Sequence, residues 1–183
     1  ITADVDYIRY DASNEQEFTN TTYTDNWIKK YAEVLRGDLP VVIDIYSARV
    51  DYTHPLKNDA KFEVGLKSSY VQTDNRANYF ELIDGNFQPD YKKINYFDYK
   101  ENVNAAYINF NKQLSKKWGV QAGLRYENTN YEGFQYGNPT KQDSSFSRSY
   151  DSWFPTIYFS YKASDAHQFS ASFGRRIDRP AYQ

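Results

Sequence analysis

Apolar and polar residues alternate along much of the chain with a period of two, the pattern of β-strands that are wetted on one face. Turn-forming residues and longer polar stretches divide this alternation into segments. Seven strands are predicted, at residues 2–11, 41–53, 60–73, 97–112, 117–130, 152–162 and 167–177. We therefore expect an all-β fold, an antiparallel up-and-down meander of about seven strands.

The connections between the predicted strands alternate between short and long. The short ones are residues 54–59, 113–116 and 163–166, and the long ones are 12–40, 74–96 and 131–151. Long loops are uncommon in compact domains, whereas transmembrane barrels join their strands by short periplasmic turns and long external loops. The alternation therefore predicts part of an outer-membrane β-barrel. Within the first long connection, residues 25–35 are predicted to form a short helix, with Asp25 as N-cap and Gly37 as its stop.

The fifth predicted strand separates its two faces most clearly. One face has Trp118, Val120, Ala122, Leu124 and Tyr126, and the other has Gly119, Gln121, Gly123, Arg125 and Glu127. The third and seventh predicted strands show the same separation. An antiparallel sheet wetted on one side has this pattern, but the pattern alone leaves open whether the apolar face meets lipid or a protein core.

Aromatic residues recur eight positions apart in four of the predicted strands. The pairs are Phe62 and Tyr70, Tyr99 and Tyr107, Trp118 and Tyr126, and Trp153 and Tyr161, all expected on the apolar face. Eight residues span about 26 Å along a strand, or about 20 Å of depth at a tilt near 40°. This depth approaches the height of the apolar band between the aromatic girdles of a barrel. The spacing favours a membrane wall over a soluble sandwich.

Composition agrees with a membrane wall and narrows the function classes. Tyr, Phe and Trp make up 19% of the chain, and Tyr and Trp favour membrane interfaces. The mean hydropathy is -0.86, and no apolar run approaches the roughly 18 residues of a membrane helix. The net charge of -2 argues against nucleic acid as a partner. Since cysteine is absent, disulfides, thiolate metal sites and cysteine nucleophiles are excluded.

Few residues suggest catalytic or metal chemistry. His54 and His167 both fall at short turns, where solvated side chains are expected rather than a metal site. Asp4 and Asp6 share one strand face, as a carboxylate pair for acid–base work would, although inward-facing or rim charges explain them more simply. Residues 74–78, DNRAN, alternate oxygen ligands but lack the glycine and glutamate of a calcium loop. No catalytic residue, metal or cofactor is predicted, and the chain is not expected to be an enzyme.

Two groups of residues are candidates for binding. Arg175, Arg176 and Arg179 are expected near the external rim, where they could hold an anion or lipopolysaccharide phosphates, although structural salt bridges are favoured. Recognition of a ligand is expected in the long loops, because barrels carry function on loops over a rigid frame. Their aromatic candidates, which could stack on a ring of the ligand or cover one another, are Tyr79, Phe80, Phe87, Tyr91, Phe134 and Tyr136.

Two stretches in the second half of the chain resemble a known family. Residues 101–107, ENVNAAY, lead through the turn at 114–118 into residues 121–127, QAGLRYE. Residues 172–182, SFGRRIDRPAY, form an arginine-rich strand end with an Arg-Pro corner. Together they resemble the strand–turn–strand signature and a recurrent strand end of TonB-dependent receptor barrels, in the outer membrane protein beta-barrel family. Residues 1–96 share only the style of that family.

The resemblance implies a receptor in the cell outer membrane that binds a scarce nutrient at its external loops and imports it with energy from the TonB complex. Such a receptor needs about 22 strands. Residues 1–183 are therefore expected to be a single segment from the middle of the barrel, contacting outer-membrane lipid, with the plug and the barrel closure outside it. The isolated segment could form a homodimer through its exposed strand edges. The alternatives are a small porin-like barrel, an outer-membrane enzyme, or a soluble β-sheet module for ligand binding or adhesion.

Overall fold

The computed structural model describes residues 1–177 as one antiparallel β-sheet. Its strands are β1 (Thr2–Tyr23), β2 (Lys29–Pro55), β3 (Ala60–Ile83), β4 (Asn86–Pro89), β5 (Asn95–Gln113), β6 (Trp118–Tyr136), β7 (Ser144–Lys162) and β8 (Gln168–Gly174). The seven predicted strands correspond to all of these except the short β4, and the predicted all-β meander is confirmed. No helix in the described part of the chain is long and apolar enough to cross a membrane.

Each long strand pairs with the next long strand along the chain, in the order β1-β2-β3-β5-β6-β7-β8. β4 stands outside this series and pairs with the end of β3 through a turn at Asp84 and Gly85. Both turn residues have positive φ, 50° and 80°, as the tightest hairpin turns require. Within residues 1–177, β1 and β8 are the two edges of the sheet. The sheet is therefore an open arc, and the predicted incomplete barrel is confirmed.

The connections are short at both ends of the sheet. At one end, the near end, they are residues 56–59, 114–117 and 163–167, so the predicted short turns are confirmed. At the other end, called the far end, the connections are residues 24–28 and 137–143, together with 84–85 and 90–94 on either side of β4. The long loops predicted at 12–40, 74–96 and 131–151 are wrong, because the strands continue through most of these residues. The strands instead extend much further toward the far end than the sequence predicts.

The predicted helix at residues 25–35 is wrong for the same reason. β1 and β2 pair in one register up to Thr22 and Tyr31 and, after a shift of one residue, at Tyr23 and Lys29, so residues 29–35 belong to the strand β2. The remaining connection is a tight turn in which the Trp27 amide donates to the Thr24 carbonyl at 2.9 Å. Pairing along a long hairpin thus overrides a weak local helix signal.

The register shows which side chains share a face. Leu124 in β6 lies opposite Ile108 in β5 and Pro155 in β7, and Ile108 lies opposite Val64 in β3. The apolar positions of neighbouring strands therefore form one continuous surface, the apolar face, and the alternate positions form the polar face. The face assignment predicted for the third, fifth and seventh strands is confirmed.

The apolar face is the more exposed of the two. Leu66 is 64% exposed and Trp153 is 53% exposed. The buried strand side chains, apart from Ala60, all lie on the polar face: Leu35, Val71, Thr73, Glu101, Ala105, Glu127, Thr129 and Phe154. Side chains crowd together on the inside of a curved sheet, so the sheet curls toward its polar face. An exposed apolar face on the outside of the curve is the arrangement of a lipid-facing wall.

Aromatic residues mark two levels on the apolar face. The pairs eight residues apart on this face are Phe62 and Tyr70 in β3, Trp118 and Tyr126 in β6, and Trp153 and Tyr161 in β7. At one level the rings of Trp118 and Tyr161 stack, with centroids 4.4 Å apart. At the other, Tyr126 and Trp153 lie 4.9 Å apart. The surface between these two levels is called the apolar band below.

The prediction that the fourth pair, Tyr99 and Tyr107, lies on the apolar face is wrong. Tyr107 lies opposite Gly65 in β3 and Arg125 in β6, which are positions of the polar face. Tyr99 lies opposite Thr73 and has the same orientation. In β5 the apolar face is formed by the even-numbered residues, so an eight-residue spacing alone does not assign a pair to a face.

The strands are inclined to the apolar band. Phe62 of β3 is level in the register with Ala122 of β6, four residues away from Trp118. Tyr70 and Tyr126 at the other border are displaced by the same four residues. Tyr161 and Trp153 of β7 lie directly opposite Trp118 and Tyr126, so the displacement from β3 to β7 is also four residues. Four residues are about 13 Å, and the three steps from β3 to β7 are about 14 Å. The resulting inclination of about 40° is typical of barrel walls.

Beyond Tyr70 and Tyr126 the apolar face becomes polar. Asn102 and Asn104 of β5 lie opposite Asn130 and Asn128 of β6, and the Asn130 amide donates to the Asn128 carbonyl oxygen at 2.6 Å. Because the outer face is polar here, this part of each strand is expected to lie outside lipid. The part within the band, Trp118 to Tyr126 in β6, is about the 9–11 residues that a membrane strand needs.

Candidate functional site

The polar face carries a group of aromatic rings beyond the apolar band. This aromatic cluster consists of Phe97 and Tyr99 in β5, Tyr131 in β6, and Phe146 and Tyr150 in β7. Tyr131 is central, with its ring centroid 6.2 Å from that of Tyr99, 6.1 Å from that of Phe146 and 6.2 Å from that of Tyr150. Phe97 lies 6.5 Å from Tyr99 and 6.4 Å from Phe146. At these distances aromatic rings attract one another.

Gly133 makes room for the aromatic cluster. It lies in β6, opposite Tyr99 in β5 and Phe146 in β7. A Cβ at this position would be 2.5 Å from the Phe146 ring and 3.0 Å from the Phe97 ring. Both rings therefore lie directly over the backbone of β6. Glycine weakens a strand interior, and rings packed over it offset part of that loss.

Charged side chains border the aromatic cluster. Glu101 and Arg148 lie on either side of Tyr131 in the register. Glu101 is only 4% exposed, whereas Arg148 is exposed. The surface therefore combines ring faces for stacking with a carboxylate and a guanidinium, which form the stronger hydrogen bonds. A mostly apolar lining with a few polar groups is characteristic of small-molecule sites.

The sequence pattern does not reveal the aromatic cluster, because three of its rings fall in residues 131–151, where a long loop is predicted. The alternation of the fifth predicted strand contains the missing signal. Its polar face contains Arg125 and Glu127, and every second residue after them, including Tyr131 and Gly133, would lie on the same face if the strand continued. Continuing the strand would have placed Tyr131 on the polar face, although not its neighbours in β5 and β7.

The six aromatic residues predicted as ligand contacts do not form one group. Tyr79 and Phe80 lie in β3, Phe87 in β4, Tyr91 in the 90–94 connection, and Phe134 and Tyr136 in β6. Phe134 and Tyr136 stack at 5.1 Å, on the face opposite to the aromatic cluster. The Phe87 ring lies 3.9 Å from the Arg36 guanidinium carbon. The loop assignment is therefore wrong for all of them except Tyr91.

The two histidines have local partners near their turns. The Tyr52 hydroxyl is 3.0 Å from Nδ1 of His54 at the end of β2. The Ser164 hydroxyl is 3.1 Å from Nδ1 of His167 in the 163–167 turn. Over residues 1–177, no group of three or more His, Cys, Asp and Glu side chains converges to hold a metal ion.

The aspartates considered for acid–base or calcium chemistry have partners within the sheet. Asp4 accepts a hydrogen bond from Arg49 at 2.9 Å, and Asp6 accepts one from Ser47 at 3.1 Å, both on the polar face. Residues 74–78 belong to β3. There Asp74 pairs with Arg76 at 3.1 Å, so the segment is a strand with an internal ion pair rather than a cation-binding loop.

Arg175 and Arg176 follow β8 and lie against the polar face. The Arg175 amide donates to the Pro155 carbonyl at 3.1 Å, and Pro155 lies within the apolar band opposite Leu124. The prediction that these arginines lie near the external rim is therefore wrong, because β8 ends at the level of the band. Arg179 and Pro180 of the predicted corner lie outside the described residues.

The connection at residues 90–94 is held to the far end of the sheet by Asp90. Its amide donates to the Tyr79 carbonyl at 2.7 Å. Its carboxylate is 8% exposed and accepts hydrogen bonds from the Lys93 ammonium at 2.5 Å and the Lys92 amide at 3.1 Å. The bond with Lys93 lowers the pKa of Asp90 and raises the pKa of Lys93. This ion pair stabilises the connection between β4 and β5.

Asp90→Asn should loosen this connection. Asparagine keeps an oxygen for the Lys92 amide but loses the charge that holds Lys93, and a partly exposed pair of this kind contributes up to about 1 kcal/mol. Amide hydrogen exchange at Lys93 and Ile94 should therefore become a few times faster, and Lys93→Gln should have the same effect. Unchanged exchange in both variants at neutral pH would contradict this role.

The lowered pKa of Asp90 also predicts a pH dependence. A carboxylate whose pKa falls on folding stabilises the fold above its ordinary pKa of 3.8 and loses that effect as the pH falls through the folded value. Below pH 3.8, exchange at Lys93 in the unsubstituted protein, corrected for its intrinsic rate, should approach that of Asp90→Asn. A difference that persists at low pH would assign the effect to something other than the charge.

Comparisons with known proteins identify relatives of the chain. A model of the outer membrane protein beta-barrel family matches residues 1–183. The ferric yersiniabactin uptake receptor FyuA from Yersinia pestis superposes with a TM-score of 0.56 and 12% identity, over 92% of this chain and 25% of that one. The ferric citrate transporter FecA in its unliganded form superposes with a TM-score of 0.53 and 14% identity, over 93% of this chain and 26% of that one. The chain spans about a quarter of the length of these structures, and the likeness concerns the fold. No curated protein sequence matches it significantly.

Proposed function

The chain belongs to the outer membrane protein beta-barrel family, and we propose that it forms part of the wall of a TonB-dependent receptor that takes up a scarce nutrient. Its location is the outer membrane. The observation that carries the proposal is the division of the sheet into an exposed apolar face and an inner polar face that bears the aromatic cluster beyond the band. The names of the similar structures, an uptake receptor and a transporter, support it.

In this proposal the chain supplies one arc of the receptor barrel. Seven long strands leave β1 and β8 as edges within the described residues, and a receptor barrel needs about 22 strands. Further strands of the full-length protein would pair with those edges, a plug would fill the lumen, and the TonB complex would supply energy. A chain isolated from these strands would instead pair its edges with those of a second copy.

The aromatic cluster is the proposed contact for the nutrient. It lies on the inner side of the curve and beyond the apolar band. In this proposal the far end, where the strands extend beyond the band, faces outside the cell. A ligand entering from there would meet the aromatic cluster before the membrane-embedded part of the lumen. Ring faces stack on planar or cyclic groups, and Glu101 and Arg148 can bind polar substituents at the border. A ligand with a flat or ring-shaped part and several polar groups suits this surface.

Tyr131→Ala should lower uptake of the nutrient about tenfold. The substitution removes the central ring and the support it gives to Tyr99, Phe146 and Tyr150, and losing one large buried contact has about this effect on affinity. The full-length protein would be placed in cells that have no other uptake route for the probes. The probes are ferric yersiniabactin and ferric citrate, the chelates named for the two similar structures, and the readout is uptake of labelled iron.

Phe134→Ala is the matched control, because Phe134 lies in the same strand on the opposite face and stacks on Tyr136. Folded protein in each case should keep the gel mobility of an unheated barrel. Uptake that falls with Tyr131→Ala and not with Phe134→Ala supports the proposal. Equal uptake in the two variants would remove the aromatic cluster as the contact, and no uptake of either chelate would overturn the proposal for iron chelates.

A further inference from the structure

The apolar face holds a groove of about 600 Å³ within the apolar band. A volume of this size is typical of small-molecule sites. Ala106 of β5 lies in its lining, between Leu66 of β3 and Tyr126 of β6. The methyl group of Ala106 is the smallest outward side chain of that lining, so the space opens above β5. Leu124 and Trp153 also line it. This space is called the β5 groove below.

The aromatic border of the apolar band is interrupted where β5 crosses it. Tyr70 of β3 and Tyr126 of β6 mark the border on either side of β5, and the register places Asn104 of β5 midway between them. Away from β5 the rings continue. Tyr70 lies 6.3 Å from Tyr46 in β2, and Tyr126 lies 4.9 Å from Trp153 in β7, measured between ring centroids. The β5 groove therefore has an opening toward the far end, between the two tyrosines.

A row of polar side chains crosses this opening. It consists of Ser68, Asn104, Asn128 and Asp151, which lie opposite one another in four neighbouring strands and are called the polar row below. The Ser68 hydroxyl donates to Oδ1 of Asn104 at 2.7 Å. The Asn128 amide donates to Oδ1 of Asp151 at 2.9 Å. These bonds hold the polar row in place before any ligand is present.

The polar row retains hydrogen-bonding capacity for a ligand. Tyr126 and Asn128 both donate to Oδ1 of Asp151, and among the described residues no hydrogen bond ends on Oδ2. The side-chain nitrogens of Asn104 and Asn128 carry two N–H groups each, and each donates one bond within the same residues. The exposed Asn104 and Asp151 thus offer donors and acceptors together, as sugar hydroxyls require. The charge of Asp151 disfavours a phosphate at the same place.

We propose that the β5 groove and the polar row bind one glycolipid of the surrounding membrane. An acyl chain lies over Ala106, and the sugar headgroup leaves through the opening and bonds Asn104, Asn128 and Asp151. The position of the site identifies this occupant, because the apolar face meets lipid and headgroups begin at the aromatic border. The inference goes beyond the proposed uptake function, since the site lies on the outside of the wall and requires neither the aromatic cluster nor TonB.

The first test compares two lipids with the same acyl chains and different headgroups, monoglucosyl diacylglycerol and phosphatidylglycerol. The full-length protein would be mixed with equal amounts of both in detergent micelles, and native mass spectrometry would count the lipid molecules that remain bound. One glucosyl lipid per protein molecule should be retained, in about tenfold excess over phosphatidylglycerol, because its hydroxyls bond the polar row. Equal retention of the two lipids, or an excess of phosphatidylglycerol, would overturn the proposal.

Ala106→Leu tests the β5 groove. The larger side chain occupies the space of about two methylene groups of the acyl chain, so retention of the glucosyl lipid should fall about tenfold. Ala122→Leu is the matched control, because Ala122 is also exposed on the apolar face within the band and does not line the groove. It should retain the lipid as the unsubstituted protein does. The same loss in both variants would contradict a site at Ala106.

Asn104→Ala tests the polar row and should remove the preference for the glucosyl lipid. Asn111→Ala is its control, with the same change at an exposed position of β5 on the polar face, and should keep that preference. An unchanged preference in Asn104→Ala would overturn the assignment of the headgroup. Gel mobility without heating confirms the fold of each variant. Lipid retention is measured without uptake, so its outcome is independent of the outcome for Tyr131→Ala.

Discussion

Ala122→Arg is expected to prevent stable assembly of the barrel in a membrane, at a cost of about 2–4 kcal/mol. Ala122 is exposed on the apolar face of β6, midway between Trp118 and Tyr126 at the two borders of the apolar band. Its neighbours across the sheet are Phe110 in β5 and Ile157 in β7. An arginine at this depth would place a charge in the hydrocarbon, where no water or counter-charge compensates it.

Gln121→Arg is the matched control for that substitution. Gln121 is the preceding residue of the same strand and is exposed on the polar face, where an added charge remains in the lumen. Both variants gain the same side chain, so only the face differs. Full-length variants would be refolded into lipid vesicles and compared by urea unfolding and by gel mobility without heating. Equal destabilisation by the two arginines would refute the face assignment.

Gly65→Ala should destabilise the wall by about 1–3 kcal/mol. The Tyr107 ring lies over Gly65, and the Tyr107 hydroxyl donates a hydrogen bond to the Asp51 carboxylate. A Cβ on residue 65 would overlap both the ring and that carboxylate. The ring would have to move away, and the hydrogen bond that ties β5 to β2 across β3 would be lost.

Gly174→Ala provides the comparison for Gly65→Ala. Gly174 is also a strand glycine of the polar face, but a Cβ there would meet nothing closer than Thr156 Cγ2 at 3.4 Å, an ordinary contact. The midpoint of urea unfolding should fall for Gly65→Ala and stay nearly unchanged for Gly174→Ala. If both alanines had the same effect, the cost would come from strand glycines in general rather than from the packing of Tyr107.

The strands and their faces could be predicted because lipid on one side and a polar lumen on the other impose a period of two. In β3, β6 and β8 the alternation predicts the correct face, as with Leu124 on the apolar face and Arg125 on the polar face. Tyr99 and Tyr107 show its limit, because aromatic rings occur on both faces. For these two tyrosines the eight-residue spacing indicates only how far apart they lie along the strand. The pairing of Tyr107 with Gly65 shows that they lie on the polar face.

The far ends of the strands could not be predicted by the same argument. Beyond Tyr126 both faces are wetted, so polar residues such as Asn128 and Asn130 occupy the outer face and the alternation disappears. The backbone nevertheless remains paired, because an extension of a hairpin satisfies its hydrogen bonds without any apolar contact. Long polar stretches therefore resembled loops in the sequence while forming strands in the sheet.

The sequence by itself determined the all-β meander, the position of the near-end turns and the division of most strands into an apolar and a polar face. These features are local, because each follows from neighbouring residues and from the period of the chain. The aromatic cluster was decided only by the tertiary structure. Phe97 meets Phe146 across a separation in sequence that no local pattern encodes. The register of the inclined strands brings these side chains to one level of the wall, and that register is a property of the whole sheet.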